Sequence, residues 1–489
     1  MPQTSKPSPD KLAPADLPDI QGLIVRGYNM PFVRHFVLTI GDIAAALNFL
    51  TELTSGTGAL SITSATPWPG GQKPPYALNL GLTAQGLQAL APPASVNFGG
   101  QNPPGAFAAF LGGAVAAAGR VSDTGANAPT NWVEKLNSSN AAQAHILLSL
   151  YANTTETRDS YSSTLRSLFQ PVIPAAGARN SDVYEIDVDL IVVTDAKGEK
   201  HNKIHFGYTD GISNPIIDAT DAPPLRDDQL PYVPAWQFVL RNGRDTEYVM
   251  PSPSDLTLNG SFSAFRILAQ DVHGFESYLQ AEGRDADDQE FLAGKICGRW
   301  RNGNPVVAAP TVPGPVLPDD QLTDFDYGSD TVGLPCPYSA HTRRANPRGG
   351  PGVQGVTTQT ANRIMRRANP YGPAYTGHDD GQERGLAGHF ICASFANQFE
   401  QIMGAWVNKT DFSAQPSKNV SIDALLGNVP DDSAFIYPTS ASAQVSVPAM
   451  SRFVTTRGGL YCFLPSLSGL RWLAQNGNNA TPWTIPPAN

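Results

Sequence analysis

Phe32 to Ile40, FVRHFVLTI, followed by Asp42 to Leu50, DIAAALNFL, decides how this chain is read. The first run is rich in β-branched and aromatic residues and predicts a strand. The second spaces its apolar residues for a helix behind an aspartate able to cap it. Working outward, Ile20 to Val25 reads as a strand entry. Ala77 to Leu82 (ALNLGL) reads as a strand, and the residues after Thr83 as a short capped helix. Ala144 to Tyr151 predicts a strand, Ser160 to Phe169 a helix, and Val183 to Val193 (VYEIDVDLIVV) an alternating strand. Strand, helix, strand, taken twice, is the order of a ferredoxin-like split βαβ domain.

The second half repeats the pattern. Ser261 to Leu268 predicts a strand, and Val272 to Gln280 and Asp287 to Ile296 predict helices. His389 to Phe395 predicts a strand, Phe399 to Val407 (FEQIMGAWV) an amphipathic helix, and Gly459 to Leu464 a final strand. The expectation is an α+β protein of two ferredoxin-like domains, each with a mainly antiparallel sheet. A leader occupies 1–18, an N-terminal domain 19–217, a linker dense in Pro and Asp 218–236, and a C-terminal domain 237–489.

Composition narrows the function. Charged residues are only 16% of the 489, with 45 glycines and 43 prolines, which describes a loop-rich globular chain. The net charge of −10 offers no basic field for nucleic acid or an anionic membrane. No apolar run reaches the roughly 18 residues of a membrane span. The N-terminus, MPQTSKPSPDKLAPADLPDIQG, lacks the apolar core of a signal peptide, so the chain reads as a mature secreted form or a cytoplasmic protein. Sequons at Asn137, Asn153, Asn259, Asn408, Asn419 and Asn479 matter only for a secreted glycoprotein. The four cysteines are spread out with no C-x-x-C, which indicates neither a zinc site nor a disulfide framework.

Two motif matches carry little. Gly350-Pro-Gly-Val-Gln-Gly fits G-x-G-x-x-G but contains a proline, follows no strand and opens no helix. His201 and His205 are four apart in a segment ill suited to a helix. More informative is Gly207-Tyr-Thr-Asp-Gly-Ile-Ser-Asn-Pro, where Asp210 is either an ordinary turn residue or a partly buried carboxylate able to shuttle a proton. Ser339 to Gly372 holds His341, a structural histidine or a metal ligand, and Arg366 with Arg367, a solvated pair or an oxyanion-stabilising group.

Together these segments resemble the dye-decolorizing peroxidases, haem enzymes of two ferredoxin-like domains. FGYTDGISNP is similar to the family's G-x-x-D-G motif, YSAHTRRANPR to its proximal segment and ANRIMRRANPYGP to its distal arginine segment. The likeness extends to DIQG at Asp19, GRWRNGNP at Gly298 and ERGLAGHF at Glu383, so it spans nearly the whole chain. It implies haem b held in the C-terminal domain near the domain interface, with His341 as iron ligand and Asp423 as its carboxylate partner. Asp210 and Arg366 are the implied catalytic pair, with Gly211 and Ile212 beside the haem. Arg343 is implied as a propionate partner and Leu386 as an apolar cover. Gly388, where relatives often have Phe, and His389 after it, imply a wider or differently filled distal channel. Trp406 and Tyr371 are implied as surface electron-transfer sites.

The implied activity is oxidation of dyes, phenolics and related aromatics by hydrogen peroxide, favoured in acid, by a monomer or homodimer. A non-peroxidatic haem protein, an alkene- or carotenoid-cleaving enzyme on the same haem, and a secreted carbohydrate-binding or hydrolytic protein are the alternatives.

Overall fold

The computed structural model describes residues 11–91, 105–174, 182–194, 198–217, 232–241, 254–348, 362–412 and 422–477. In the first half the described strands are β1 (Phe32–Leu38), β2 (Tyr76–Leu82), β3 (Ile146–Ala152) and β4 (Val183–Asp189). A hairpin of β5 (Ile191–Thr194) and β6 (Lys200–Lys203) follows, then the short parallel pair β7 (Ile216–Ile217) and β8 (Tyr232–Val233). The second half contributes β9 (Ser261–Gln270), β10 (Met365–Tyr371), β11 (Gly385–Cys392), a hairpin of β12 (Ser433–Pro438) and β13 (Gln444–Met450), and β14 (Val454–Leu464).

Eight strands form one sheet in the order β10-β11-β9-β14-β2-β3-β1-β4. Within each half the pairing is antiparallel and the order is the same: β2-β3-β1-β4 in the first and β10-β11-β9-β14 in the second. This is the ferredoxin-like arrangement built twice, with the halves joined edge to edge at Phe463 and Leu82. Helices Ile43–Thr54 and Thr155–Phe169 are the crossovers of the first half, and Asp42 caps the former by accepting from Ala45 N–H at 2.9 Å.

The two halves also pack face to face. His35 of β1 lies 5.0 Å from Phe265 of β9 and 5.6 Å from His389 of β11, although β1 neighbours neither strand in the sheet. The edge strands β10 and β4 come into contact as well. Burial on both faces explains why β1 and β3 read as nearly continuous apolar runs instead of strict alternation.

Four sequence expectations change. Residues 20–25 are not a strand: Gly22–Val25 is one helical turn. The side chain of Gln21, fully buried, donates to Leu80 O and Pro465 O at 2.8 Å and accepts from Leu80 N–H at 2.9 Å, wedging this segment between β2 and the chain after β14. The alternating run at Val183 breaks at Leu190 into β4 and β5. Phe395, expected to end a strand, instead begins a π-helix, Phe395–Val407, capped by Ser394. Of the expected linker, 218–231 lies outside the described residues, and the part that follows is tied down, since Tyr232–Val233 pairs with Ile216–Ile217 and Val233 and Ala235 are buried. The helix Leu467–Asn476, which the sequence reading did not anticipate, packs on helix Ile43–Thr54 of the first half. Its buried Leu470 and Leu473 each contribute on the order of 1.5–3 kcal/mol of hydrophobic stabilisation.

Candidate active site

A cavity of about 590 Å³ is lined by residues from both halves. His341 forms part of its wall and opens the short helix His341–Ala345. That helix is anchored from behind: buried Arg344 donates to Tyr338 O at 2.7 Å and Trp406 O at 2.6 Å, and Thr342 Oγ1 to Cys297 O at 3.0 Å. Gly298 makes the close approach possible, because its φ is +85° and a Cβ there would meet Thr342 Oγ1 at 2.0 Å.

His341 Nδ1 lies 2.8 Å from Oδ2 of fully buried Asp423. The other oxygen of Asp423 accepts from the N–H groups of Leu425 and Leu426 at 2.9 and 2.8 Å, so the carboxylate is fixed in place. A carboxylate only accepts, so Nδ1 carries the proton and the Nε2 lone pair is left for a metal.

Asp210 and Arg366 also line this cavity, with Gly211, Ile212 and Leu386. Asp210 stands in a turn pinned by its own N–H to Asn202 O at 2.9 Å, between Gly207 and Gly211, both at positive φ. Its Oδ1 accepts from Gly211 N–H at 2.7 Å. Burial raises the carboxyl above its ordinary pKa, while the Arg366 charge and the Gly211 N–H pull the other way. Arg366, on β10, donates through Nη2 to Ile212 O at 2.5 Å, and its backbone N–H to Asn214 Oδ1 at 3.0 Å. The arrangement sets a proton acceptor beside a fixed cation in the cavity that also holds the available imidazole nitrogen.

Other expected residues stand elsewhere. Arg343 does not line the cavity: it is buried on Asp330, with Nη1 on Oδ2 at 2.7 Å and Nη2 on the carbonyl at 2.8 Å, and stacks 4.0 Å over Tyr338. Two residues along a helix from His341 it must face away, since such neighbours do not share a face. Gly388 packs against β10, where a Cβ would meet Arg367 O at 2.3 Å, and it is Phe390 that reaches the cavity. His389 is buried between the halves, held by Ser149 Oγ at 2.8 Å and Ser263 Oγ at 2.9 Å. Trp406 is 2% exposed and Tyr371 8%, the latter donating to Glu383 at 3.0 Å, so neither is the surface aromatic expected of it. His205 is tied through Nε2 to Tyr371 O at 2.8 Å, and no cluster of metal-ligating side chains occurs among the described residues. Residues 350–355, the G-x-G-x-x-G match, lie outside the described residues.

Three cavity arginines escaped notice in the sequence. Arg299 Nη2 and Arg348 Nη2 both donate to Ser213 Oγ, at 2.8 and 3.1 Å, and Arg363 Nη2 donates to Ser213 O at 3.0 Å. None makes an ion pair among the described residues, and Arg363 Nη1 is buried with no partner. Burial and mutual repulsion lower the pKa of Arg299 to about 10 and of Arg363 to about 9. Each lies within a segment already singled out, GRWRNGNP, TRRANPR or ANRIMRR, and only the three-dimensional fold brings them together.

The chain is similar in sequence and in fold to known proteins over most of its length. Peroxidase 2 of Mycetinis scorodonius is 28% identical over 485 residues, covering 93% of this chain and 87% of that protein. The dye-decolorizing peroxidase AauDyP1 of Auricularia auricula-judae is 27% identical over 92% of this chain and 86% of that protein. A solved dye-decolorizing peroxidase in complex with 2,6-dimethoxyphenol superposes with a TM-score of 0.73 at 26% identity, over 94% of this chain and 99% of that one. The chain is similar to dye-decolorizing peroxidases, in sequence and in fold, over more than nine-tenths of its length. It matches the long form of the fungal dye-decolorizing peroxidases, although the alignment with msp1 of Mycetinis scorodonius, at 31% identity, spans only 56% of this chain and 57% of that protein. No family model matches the chain.

Proposed function

We propose that this protein is a hydrogen-peroxide-dependent haem peroxidase that oxidises dyes, phenolics and related aromatic compounds. The observation that carries the reading is a single cavity lined by the His341–Asp423 pair and by Asp210 with Arg366. The donor set suits haem. His341 offers Nε2 as a ligand, and Arg299, Arg348 and Arg363 form an unneutralised positive cluster suited to two propionates, the role expected earlier of Arg343. Haem b is the cofactor we assign, and when bound it supplies the redox-active iron.

The chain's own residues handle the proton and the charge. Asp423 holds the His341 ring in one tautomer and makes it more electron-donating. Asp210, ionised, accepts the proton of incoming peroxide and returns it to the outer oxygen, which leaves as water. Arg366 stabilises the negative charge that grows on that oxygen. Leu386 and Phe390 give the cavity an apolar wall.

We further infer a secreted protein, monomeric or dimeric. Glycosylation is limited by the fold, because the amides of Asn153, Asn259 and Asn408 already donate to Pro74 O, to Asp19, and to Val121 O and Met403 O. Asn419 and Asn479 lie outside the described residues, which leaves Asn137 the open acceptor among the described sequons. Stopped-flow mixing with peroxide tests the reading: Asp210→Asn and Arg366→Leu should keep the haem absorbance and react much more slowly. A rate equal to the unmodified protein for either variant removes that residue from the mechanism.

A further inference from the structure

The cavity continues around the edge of the sheet. β10 is an edge strand, so Arg367 leaves it on the side opposite Arg366. There it lines a lobe with Leu23, Gly27, Tyr28, Asn29 and Tyr151. Its Nε donates to Leu23 O at 3.2 Å, its Nη1 to Arg366 O at 3.3 Å and its Nη2 to Met365 Sδ at 2.6 Å. All three acceptors are neutral, and among the described residues no carboxylate pairs with it. Burial lowers its pKa only to about 10, so it remains charged at neutral pH. Arg367 is half-buried, and a cation withdrawn that far from water without a counter-ion is costly unless something supplies the missing charge.

A second observation points the same way. Tyr151 is 6% exposed, and its hydroxyl has no hydrogen-bond partner. Tyr28 differs, since its hydroxyl is used by Asn79 Oδ1 at 2.9 Å. Its ring stands edge-on to Tyr151 with centroids 5.1 Å apart, which leaves an aromatic wall beside the free donor. An unneutralised guanidinium, an unpartnered hydroxyl and two aromatic rings in one lobe match a ligand that is both anionic and aromatic.

We propose that this lobe is a subsite for aromatic carboxylates, above all phenolic acids, with the carboxylate between the Arg367 guanidinium and the Tyr151 hydroxyl and the ring against Tyr28. The proposal rests on the peroxidase reading in one respect: the bound acid would serve as reductant. Each phenol gives up one electron and one proton to become a phenoxyl radical, and two phenols with one hydrogen peroxide yield two radicals and two waters.

Binding is measured on the purified holoenzyme by titration calorimetry without peroxide, using 4-hydroxybenzoate, 4-hydroxybenzamide and acetate as probes. The acid should bind at least tenfold more tightly than either of the others, because only it offers both charge and ring. Tyr151→Phe should weaken 4-hydroxybenzoate roughly tenfold, the size of a hydrogen bond to a charged group. The same variant deletes a hydroxyl that bonds nothing, so its thermal midpoint should not fall. Arg367→Gln should abolish the preference for acid over amide. Equal affinity for acid and amide, equal affinity for acid and acetate, or an unchanged affinity in Tyr151→Phe each overturns the subsite. The calorimetry reads binding alone, so a protein inert to peroxide would end the peroxidase reading while leaving this result intact.

Discussion

Replacing Asp423 separates what this carboxylate does for folding from what it does for His341. It accepts three hydrogen bonds, from His341 Nδ1 at 2.8 Å and from the N–H groups of Leu425 and Leu426 at 2.9 and 2.8 Å. Asp423→Ala deletes them all. The bond to the charged acceptor contributes about 1.5–3 kcal/mol and the two backbone contacts about 0.5–2 kcal/mol, so the loss is roughly 3 kcal/mol. Asp423→Asn is the more discriminating change. Its amide oxygen can keep the Leu425 and Leu426 contacts, while its NH₂ group turns toward Nδ1. Two donors cannot face each other, so the imidazole must move its proton to Nε2, the atom needed for a metal. The expected outcome is a split: Asn unfolds thermally near the unmodified protein yet loses haem at least tenfold more readily, whereas Ala loses both stability and haem. Haem retention by Asp423→Asn equal to the unmodified protein would refute the tautomer argument.

Other outcomes follow from the same geometry. Asp210 has a raised pKa, so the peroxide reaction should fall as pH drops through that value; Arg366→Leu removes the charge that pulls it down and should shift this acid limb to higher pH, as pH-dependent stopped-flow would read. A raised carboxylate pKa favours the folded state in acid and loses that contribution as pH rises, so Asp210→Asn should be the more stable protein at neutral pH, with the difference vanishing in acid. Arg343→Leu breaks the buried pair with Asp330 and should cost roughly 3–5 kcal/mol in denaturation. Arg363→Gln deletes one bond, to Ser213 O, and relieves repulsion from Arg348 and Arg366, so stability should change little while haem retention weakens.

Much of this was legible in the chain because it rests on local periodicity. The runs at Phe32, Ala77, Ser261 and Gly459 read as strands because β-branched and aromatic residues cluster there, and Asp42 and Thr83 cap helices by bonds three residues long. The Gln21 wedge was opaque, since its amide bonds Pro465, 444 residues away. His341 and Asp423 are 82 residues apart and were linked only through the family resemblance. Arg343 misled because the short helix that opens at His341 was not expected, and along it a two-residue spacing turns Arg343 away from the cavity. Arg299, Arg348 and Arg363 converge on Ser213 from three separate loops and carry no local signature. Likewise, only the pleat of β10 sends Arg366 and Arg367 to opposite sides of the strand.

The most direct measurement is the absorption spectrum of the purified protein before and after one equivalent of hydrogen peroxide. The account predicts a Soret band in the resting protein, lost in His341→Ala, that shifts rapidly on adding peroxide and returns when a phenol is supplied. A protein without a Soret band after reconstitution with haem, or one whose band is unmoved by peroxide, would contradict it.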